Sequence, residues 1–117
     1  ESRQLEVSEF SRSMKLLAKE LEVPVVALSQ LNRQAENRAD HRPMLADLRE
    51  SGSLEQDADV VLLLNRPEVY DPDDRRGEAD IIVAKHRNGP TDTVPVVFQG
   101  QLARFANMAR TADPSQF

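Results

Sequence analysis

The sequence predicts an α/β fold, with a central β-sheet, flanking helices and a β-hairpin near the carboxyl terminus. The first observation is an amphipathic helical pattern at residues 5–21 that leads directly into a continuous apolar run at residues 25–28. A helix that feeds a strand buried on both faces is typical of α/β architecture. The second observation is another apolar run, at residues 60–64, which predicts a second buried strand and is followed by two β-rich segments at residues 78–84 and 93–98.

Composition and charge exclude several classes of protein. The chain has 117 residues, 39% of them hydrophobic, which suits one small domain with a modest core. Its formal net charge of -5 provides no global field for nucleic acid or an anionic membrane, so any DNA contact must be local. No apolar run approaches the ~18 residues of a membrane span and no signal segment is present, so we expect a cytoplasmic protein without a membrane partner.

Residue types that bind metals or form disulfides are scarce. The chain has no cysteine, which excludes disulfides and thiolate chemistry, and its two histidines, His41 and His86, are far apart in the sequence. The acidic residues Asp71, Asp73 and Asp74 lack the spacing of a calcium loop and are more typical of a solvated surface. We therefore predict no metal site.

The first predicted element is a helix that covers the core. Its apolar stripe consists of Val7, Phe10, Met14, Leu17 and Leu21. Steps of three and four residues place this stripe on one side, and mixed charge on the other side argues against a membrane or partner helix. Pro24 helps to end the pattern. Because the chain begins at Glu1 and opens directly on this helix, we expect a fragment of a longer protein.

Two polar residues, Ser29 and Gln30, follow the predicted strand at residues 25–28. Ligands of open α/β sheets bind at the carboxyl ends of the strands. Gln30 could orient a water molecule or contact a phosphate, since its amide both donates and accepts hydrogen bonds. Without further context, the residues favour an ordinary glutamine bonded to the backbone.

Polar stretches separate the two apolar runs. Residues 32–43 predict an exposed, mobile loop whose arginines could meet a phosphate backbone, although it has no aromatic residue for base stacking. A solvated loop is at least as compatible with this composition. Further on, Ser53 can cap a short helix, and the Ser51-Gly52 bend exposes backbone N–H groups that suit an anion. Simple capping is the alternative interpretation of this bend.

A β-hairpin is predicted by the two β-rich segments and by Asn88-Gly89 between them, which is a strong turn signal. Alternation along a strand sends Lys85 and Arg87 to one face and His86 to the other. The pair could clamp a phosphate, because arginine offers a bidentate fork and lysine a mobile point charge. Solvated charges that protect an edge strand are the alternative, which the residues alone favour.

Nucleotide hydrolysis by this stretch alone is not expected. None of the four glycines is followed by the lysine of a phosphate-binding loop. Neither apolar run ends in the acidic residue that would hold a magnesium ion, since Ser29 and Asn65 stand there. We predict that the isolated segment neither hydrolyses ATP nor unwinds DNA.

Three blocks of the sequence resemble successive motifs of the bacterial replicative DNA helicase family DnaB. They are residues 25–33, 42–59 and 85–90, and they occur in the family's order. The most specific block contains Asp-Leu-Arg-Glu-Ser-Gly at residues 47–52. The resemblance implies that residues 1–110 are the C-terminal part of a RecA-like motor domain, without its Walker A and Walker B regions. Residues 111–117 are then expected to be a disordered tail.

The resemblance implies a fragment of a ring-forming helicase that couples ATP hydrolysis to translocation on single-stranded DNA and duplex unwinding. ATP and Mg²⁺ would be bound mainly by the missing upstream part of the domain. The implied assembly is a homohexamer that works in the primosome with primase and a helicase loader. The alternative is a non-catalytic RecA-fold module that binds DNA or nucleotide, or a recombination-type relative.

Residue roles implied by the resemblance fall at the nucleotide and at the DNA. Gln30 resembles the strand-end glutamine that senses the γ-phosphate, and Lys85 and Arg87 match the finger pair that reaches the neighbouring subunit's nucleotide. These three residues are the expected catalytic and ATP-binding set. His86 stands where the family often has glutamine, and we assign it no role.

The expected DNA-binding residues are Arg49, Glu50 and Gly52. They match the family's loop that follows the phosphate backbone of single-stranded DNA inside the hexamer. Residues 32–42 are variable in the family and receive no role.

Overall fold

The computed structural model describes residues 2–109, without the side chains of residues 2–4 and 49–52. This part contains two α-helices, α1 (Ser2–Leu21) and α2 (Gly52–Asp57), and four strands, β1 (Val60–Asn65), β2 (Glu78–His86), β3 (Asp92–Gln99) and β4 (Arg104–Asn107). Short 3-10 helices span Arg33–Asn37, Leu45–Ser51, Pro67–Val69 and Gly100–Leu102. The predicted tail at residues 111–117 lies outside the described residues.

The strands form one antiparallel sheet in the order β1-β2-β3-β4, so each strand pairs with the next one along the chain. Strands β2 and β3 confirm the predicted hairpin, and the predicted strand at residues 60–64 is observed as β1. Strand β4 extends the sheet at its far edge. The predicted α/β class is confirmed.

Burial of β1 on both faces is not observed. Its side chains alternate, with Val61 and Leu63 buried and Leu62 and Leu64 exposed. The prediction of a fully buried strand is wrong here, because the described residues cover only one face of the sheet at β1.

The predicted strand at residues 25–28 is also not formed in the described structure. These residues have no regular secondary structure, and Val26 and Leu28 are 88% and 97% exposed. A strand needs a neighbour to satisfy its backbone N–H and C=O groups. Within residues 2–109 no strand lies beside this run, since β1 pairs only with β2. The predicted position of Gln30 at the end of a buried strand is therefore not observed.

Helix α1 confirms the predicted helix, but only part of the predicted stripe packs: Val7 and Met14 are half-buried, whereas Phe10, Leu17 and Leu21 are exposed. Among the described side chains of α1, the most buried is the polar Ser11. The Ser11 hydroxyl donates to the Asp57 carboxylate at the end of α2. The apolar stripe does not cover a core here, because the surface that α1 meets is the polar end of α2.

Backbone conformation explains where α1 ends. Glu22 adopts a left-handed conformation with φ 53°, and the Val23 N–H donates to the Ala18 carbonyl at 3.1 Å. This pattern closes a helix C-terminus by satisfying one of its last carbonyls. Pro24, two residues later, prevents the helix from continuing.

A small apolar core lies between the sheet and the 3-10 helix Leu45–Ser51. Its buried members are Leu48, Val61, Leu63 and Ile82. Partly buried side chains pack around them, namely Leu31, Leu45, Ala58 and Ala84. The core therefore joins the segment before α2 to the first two strands.

Residues 32–43 are more ordered than predicted. Arg33–Asn37 form a 3-10 helix in which Ala35 is buried. The Arg38 guanidinium pairs with the buried Asp47 carboxylate, and Arg42 donates to Thr93 at 2.8 Å. The predicted exposed loop instead contains a short 3-10 helix, and these two arginines pair within the domain.

Candidate functional site

The tip of the hairpin is longer than a two-residue turn. Strands β2 and β3 pair up to Val83 and Asp92, and β2 then continues to His86 by pairing with β1. The Gly89 N–H donates to the His86 carbonyl at 3.2 Å, which closes the turn. Lys85 and His86 therefore pair with β1, beyond the last residue of β2 that pairs with β3.

A β-bulge at Ala84 decides which way the tip faces. Val61 lies opposite Lys85, whereas the next residue of β1, Leu62, lies opposite Val83. Ala84 is the extra residue, and a bulge of this kind turns the side chains that follow it. Ala84 packs against the core. Lys85 lies directly opposite Val61, so it is on the same face of the sheet as that core residue.

Lys85 and Arg87 project together, as predicted. The Lys85 ammonium donates to the Glu55 carbonyl at 2.7 Å and to the Gln56 carbonyl at 3.1 Å, and Arg87 Nη2 lies 3.4 Å from the Gln56 carbonyl. These carbonyls belong to the last turn of α2, where cations are favourable. Lys85 therefore caps α2, while the Arg87 side chain stays 47% exposed.

His86 lies apart from this pair, against Gly89. A Cβ added at Gly89 would come within 2.5 Å of the His86 ring. Glycine at this position therefore allows the close approach of the His86 ring.

Asp59, just before β1, holds Arg87 through two groups. The Arg87 N–H donates to the Asp59 carbonyl at 2.8 Å, and Arg87 Nη1 lies 3.0 Å from Asp59 Oδ1. The Lys15 ammonium of α1 reaches the same Oδ1 at 2.7 Å and also donates to the Asp57 carbonyl at 2.8 Å. The hydrogen bond from Lys15, followed by the charges of Lys15, Arg87 and Lys85, lowers the pKa of Asp59. Asp59 is therefore an anionic junction between α1, α2 and the tip.

Gln30 is not part of this cluster. It is exposed, and among the described residues its only hydrogen bond is from the Ser29 hydroxyl to its carbonyl at 3.4 Å. Its amide makes no hydrogen bond to Lys85 or Arg87 within residues 2–109. Of the three predicted catalytic residues, the structure therefore brings together only Lys85 and Arg87.

The predicted DNA-binding residues lie at the other end of α2. Arg49 and Glu50 belong to the 3-10 helix Leu45–Ser51, which has a kink at Leu48, and Gly52 opens α2. Their side chains lie outside the described residues. Because the 3-10 helix runs directly into α2, Ser53 lies inside the helix, and its predicted capping position is wrong.

Sequence reasoning missed Asp59 and Lys15. Asp59 stands directly before an apolar strand, which is a common place for a solvated carboxylate. Lys15 is one of several charges on the polar side of a helix. No local pattern relates the two residues, since packing of α1 on α2 brings them together.

Comparison with known proteins identifies the family. The model of the DnaB-like helicase C terminal domain matches residues 1–107. The chain belongs to this family. The resemblance inferred from three sequence blocks is confirmed.

Relatives agree with this assignment. The replicative DNA helicase DnaB of Mycobacterium intracellulare is 75% identical over 111 residues, which cover 94% of this chain and 19% of that protein. The enzyme of the same name from Geobacillus stearothermophilus is 54% identical over 117 residues, covering 99% of this chain and 26% of that protein. The chain thus spans between 19% and 26% of the length of these two relatives.

Solved structures show the same fold. One of them, described as an ATPase domain, superimposes with a TM-score of 0.88 at 48% identity, covering 93% of this chain and 39% of that one. A DnaB-like replicative helicase, described with its interactions with primase, gives a TM-score of 0.88 at 48% identity, covering 93% of this chain and 26% of that one. The predicted assignment to part of a RecA-like ATPase domain is confirmed. None of the helices among the described residues is long and apolar enough to cross a membrane.

Proposed function

We propose that this chain is the C-terminal part of the motor domain of a ring-forming replicative DNA helicase. The parent enzyme would couple ATP hydrolysis to translocation on single-stranded DNA and to duplex unwinding, in the bacterial cytoplasm. Family membership and relatives named replicative DNA helicase DnaB support this proposal. We assign residues 1–110 to the motor domain and residues 111–117 to a tail.

The observation that carries the proposal is the position of Arg87 and its contacts. Its guanidinium is half exposed at a hairpin tip, beside the ammonium of Lys85, and its backbone is fixed by Asp59. Two adjacent cations on a supported tip suit the γ-phosphate of a nucleotide. Because Lys85 and Arg87 match the family's finger pair, we infer that the nucleotide they contact is held by a neighbouring subunit of a homohexamer.

Lys85 and Arg87 fit the role of phosphate-contacting residues in different ways. Arg87 Nη1 pairs with Asp59 and Nη2 donates to the Gln56 carbonyl at 3.4 Å, while within the described residues Nε makes no hydrogen bond, so donors remain for a phosphate. Lys85 uses two donors on α2 and would have to exchange at least part of that cap for a nucleotide. ATP and Mg²⁺ would be held mainly by residues outside this chain.

The remaining roles are distributed along the chain. Gln30 would act as the γ-phosphate sensor once residues 25–28 are paired in a complete sheet. Arg49, Glu50 and Gly52, at the amino end of α2, would contact the DNA backbone. A solved relative described with its interactions with primase supports a primase partner, and a helicase loader is the other partner proposed.

Mixed rings of the intact helicase test the role of Arg87. Arg87→Ala subunits are mixed with subunits disabled in their own phosphate loop, each inactive as a pure ring. Some interfaces then combine an intact finger with an intact nucleotide site, so partial ATPase activity is expected to reappear. Arg76→Ala is the matched control, because Arg76 is an exposed arginine paired with Asp73.

If mixing restores no activity although mixed rings form and tolerate inactive neighbours, Arg87 does not act across the interface. The purified 117-residue chain is expected to show no ATP hydrolysis. Turnover by this chain that a Gln30 substitution abolishes would contradict the division of the ATP site proposed here.

A further inference from the structure

The junction between α2 and β1 brings three chain segments to one carboxylate. Asp59 Oδ1 lies 2.7 Å from Lys15 Nζ and 3.0 Å from Arg87 Nη1. The Asp59 carbonyl also accepts the Arg87 N–H at 2.8 Å. One residue thus contacts Arg87 through both its backbone and its side chain.

These two contacts restrict different motions of Arg87. The backbone hydrogen bond fixes the position of the Arg87 backbone just after β2, and the carboxylate fixes the direction of the guanidinium. An arginine with several rotatable bonds would otherwise sample many orientations at a half-exposed tip. Lys15 in turn fixes the carboxylate, because its ammonium is also bonded to the Asp57 carbonyl at the end of α2.

We infer that Asp59 is a positioning residue for Arg87, held in place by Lys15 of α1. Asp59 orients the guanidinium for the nucleotide and is not expected to touch the nucleotide itself. The inference rests on the proposed finger role of Arg87. It assigns a role in turnover to two residues that received no role in the sequence analysis.

Exposure of the pair separates this role from a structural one. The side chains of Asp59 and Arg87 are 63% and 47% exposed, and ion pairs of this kind contribute little to folding stability. Misplacement of a reacting or stabilising group, in contrast, can slow turnover by about 100-fold. Removing the Asp59 charge is therefore expected to affect turnover far more than thermal unfolding.

The test uses Asp59→Asn in the intact helicase, with Asp73→Asn as the control. Asp73 is a similar exposed carboxylate paired with an arginine, Arg76. For Asp59→Asn we expect kcat for ATP to fall by about 10- to 100-fold, with KM, ring assembly and the unfolding temperature nearly unchanged. Asp59→Glu is expected to recover part of the loss, and the control to behave as the wild type.

A double variant shows whether Asp59 acts through Arg87. In an Arg87→Ala background, Asp59→Asn should cause no further loss, because the group it orients is gone. In mixed rings its defect should be complemented by subunits disabled in their phosphate loop, as for Arg87→Ala. Should Asp59→Asn fail to assemble, Lys15→Met provides the same comparison, with a smaller expected fall in kcat.

The outcomes distinguish this inference from the proposed function. If Arg87→Ala leaves turnover unchanged, the finger role itself is wrong. If Arg87→Ala slows turnover but Asp59→Asn and Lys15→Met do not, or if they accelerate it, positioning by Asp59 is wrong. An additive loss in the double variant would likewise overturn it, because Asp59 would then act independently of Arg87.

Discussion

The sheet and the amino-terminal segment differ in whether their β-forming residues find partners within the described residues. In the sheet, each strand pairs with the next along the chain, and the buried carboxylate of Asp80 is paired with Arg75. In the segment before residue 31, the apolar side chains of Val26 and Leu28 are exposed and no strand is formed. In this meander each strand has a neighbouring strand as its hydrogen-bonding partner. Residues 25–28 would need a neighbouring strand that residues 2–109 do not supply. The sheet therefore forms its hairpin tip from strands that all lie within residues 60–107.

The largest expected effect is at that tip, in the region that carries its own partners. Arg87→Ala in the intact helicase should slow ATP turnover by about 10³–10⁵-fold, as loss of an arginine finger does. Arg87→Lys should recover little, because it keeps the charge but loses the planar fork. Steady-state ATPase assays and ring sizing measure this. A fall below about tenfold, or an equal fall in the Arg76→Ala control, would place the function elsewhere.

The next effect concerns the polar network of the sheet. Asp80 accepts hydrogen bonds from both terminal nitrogens of Arg75 at 2.8 Å, and Asn65 lies 3.3 Å away. Asp80 is buried, whereas Arg75 is 36% exposed and keeps its ion pair with Glu78. Asp80→Ala should therefore reduce the free energy of unfolding by about 1–3 kcal/mol, the cost of leaving hydrogen-bonding groups unsatisfied. Urea denaturation of the purified chain measures the change. A loss no larger than that of Asp73→Ala would show that the network does not stabilise the sheet.

Acid provides a second measurement on the same carboxylate. The hydrogen bonds from Arg75 lower the pKa of Asp80 from its ordinary value of 3.8. The stabilisation is complete above the unfolded pKa and is lost as the pH falls through the lower folded pKa. The unfolding free energy should therefore decrease below about pH 4, and less steeply in Asp80→Asn. Identical acid profiles would contradict this assignment.

A pair of leucines compares the two regions directly. In the purified chain, Leu63→Ala removes a buried side chain of β1 and should cost about 2–5 kcal/mol, whereas Leu28→Ala should cost less than about 0.5 kcal/mol. In the intact helicase Leu28→Ala should become costly, if upstream residues cover it. Equal costs in the purified chain would contradict the difference between the two regions, since Leu28 would then already be packed.

The smallest effect is expected at the amino end of α2, between the two regions. Arg49→Ala in the intact helicase should weaken binding of single-stranded DNA similarly for different base compositions. Loss of one phosphate contact should reduce the slope of affinity against salt by about one. Binding isotherms at several salt concentrations measure it. A loss confined to one base composition would indicate a base contact instead.

Elements set by neighbouring residues were predictable. The helix at residues 5–21, the strand at residues 60–64 and the hairpin around Asn88-Gly89 depend on local periodicity and turn chemistry. The common side of Lys85 and Arg87 also followed, because they are two residues apart in nearly extended chain at the end of β2. The three motif blocks were sufficient for the family. The burial of residues 25–28 was not predictable, because an apolar run does not say whether partners are present.

The sequence by itself determined the family, the segments that form β1, β2 and β3, and the common side of the two cations at the tip. Only the tertiary structure decided what those cations contact. The bulge at Ala84 turns Lys85 toward the carbonyls at the end of α2, and Asp59 meets Arg87 and Lys15 from three separate segments. The physical reason is range: periodicity and turns are set by residues a few positions apart, whereas this junction depends on how α1, α2 and β2 pack together.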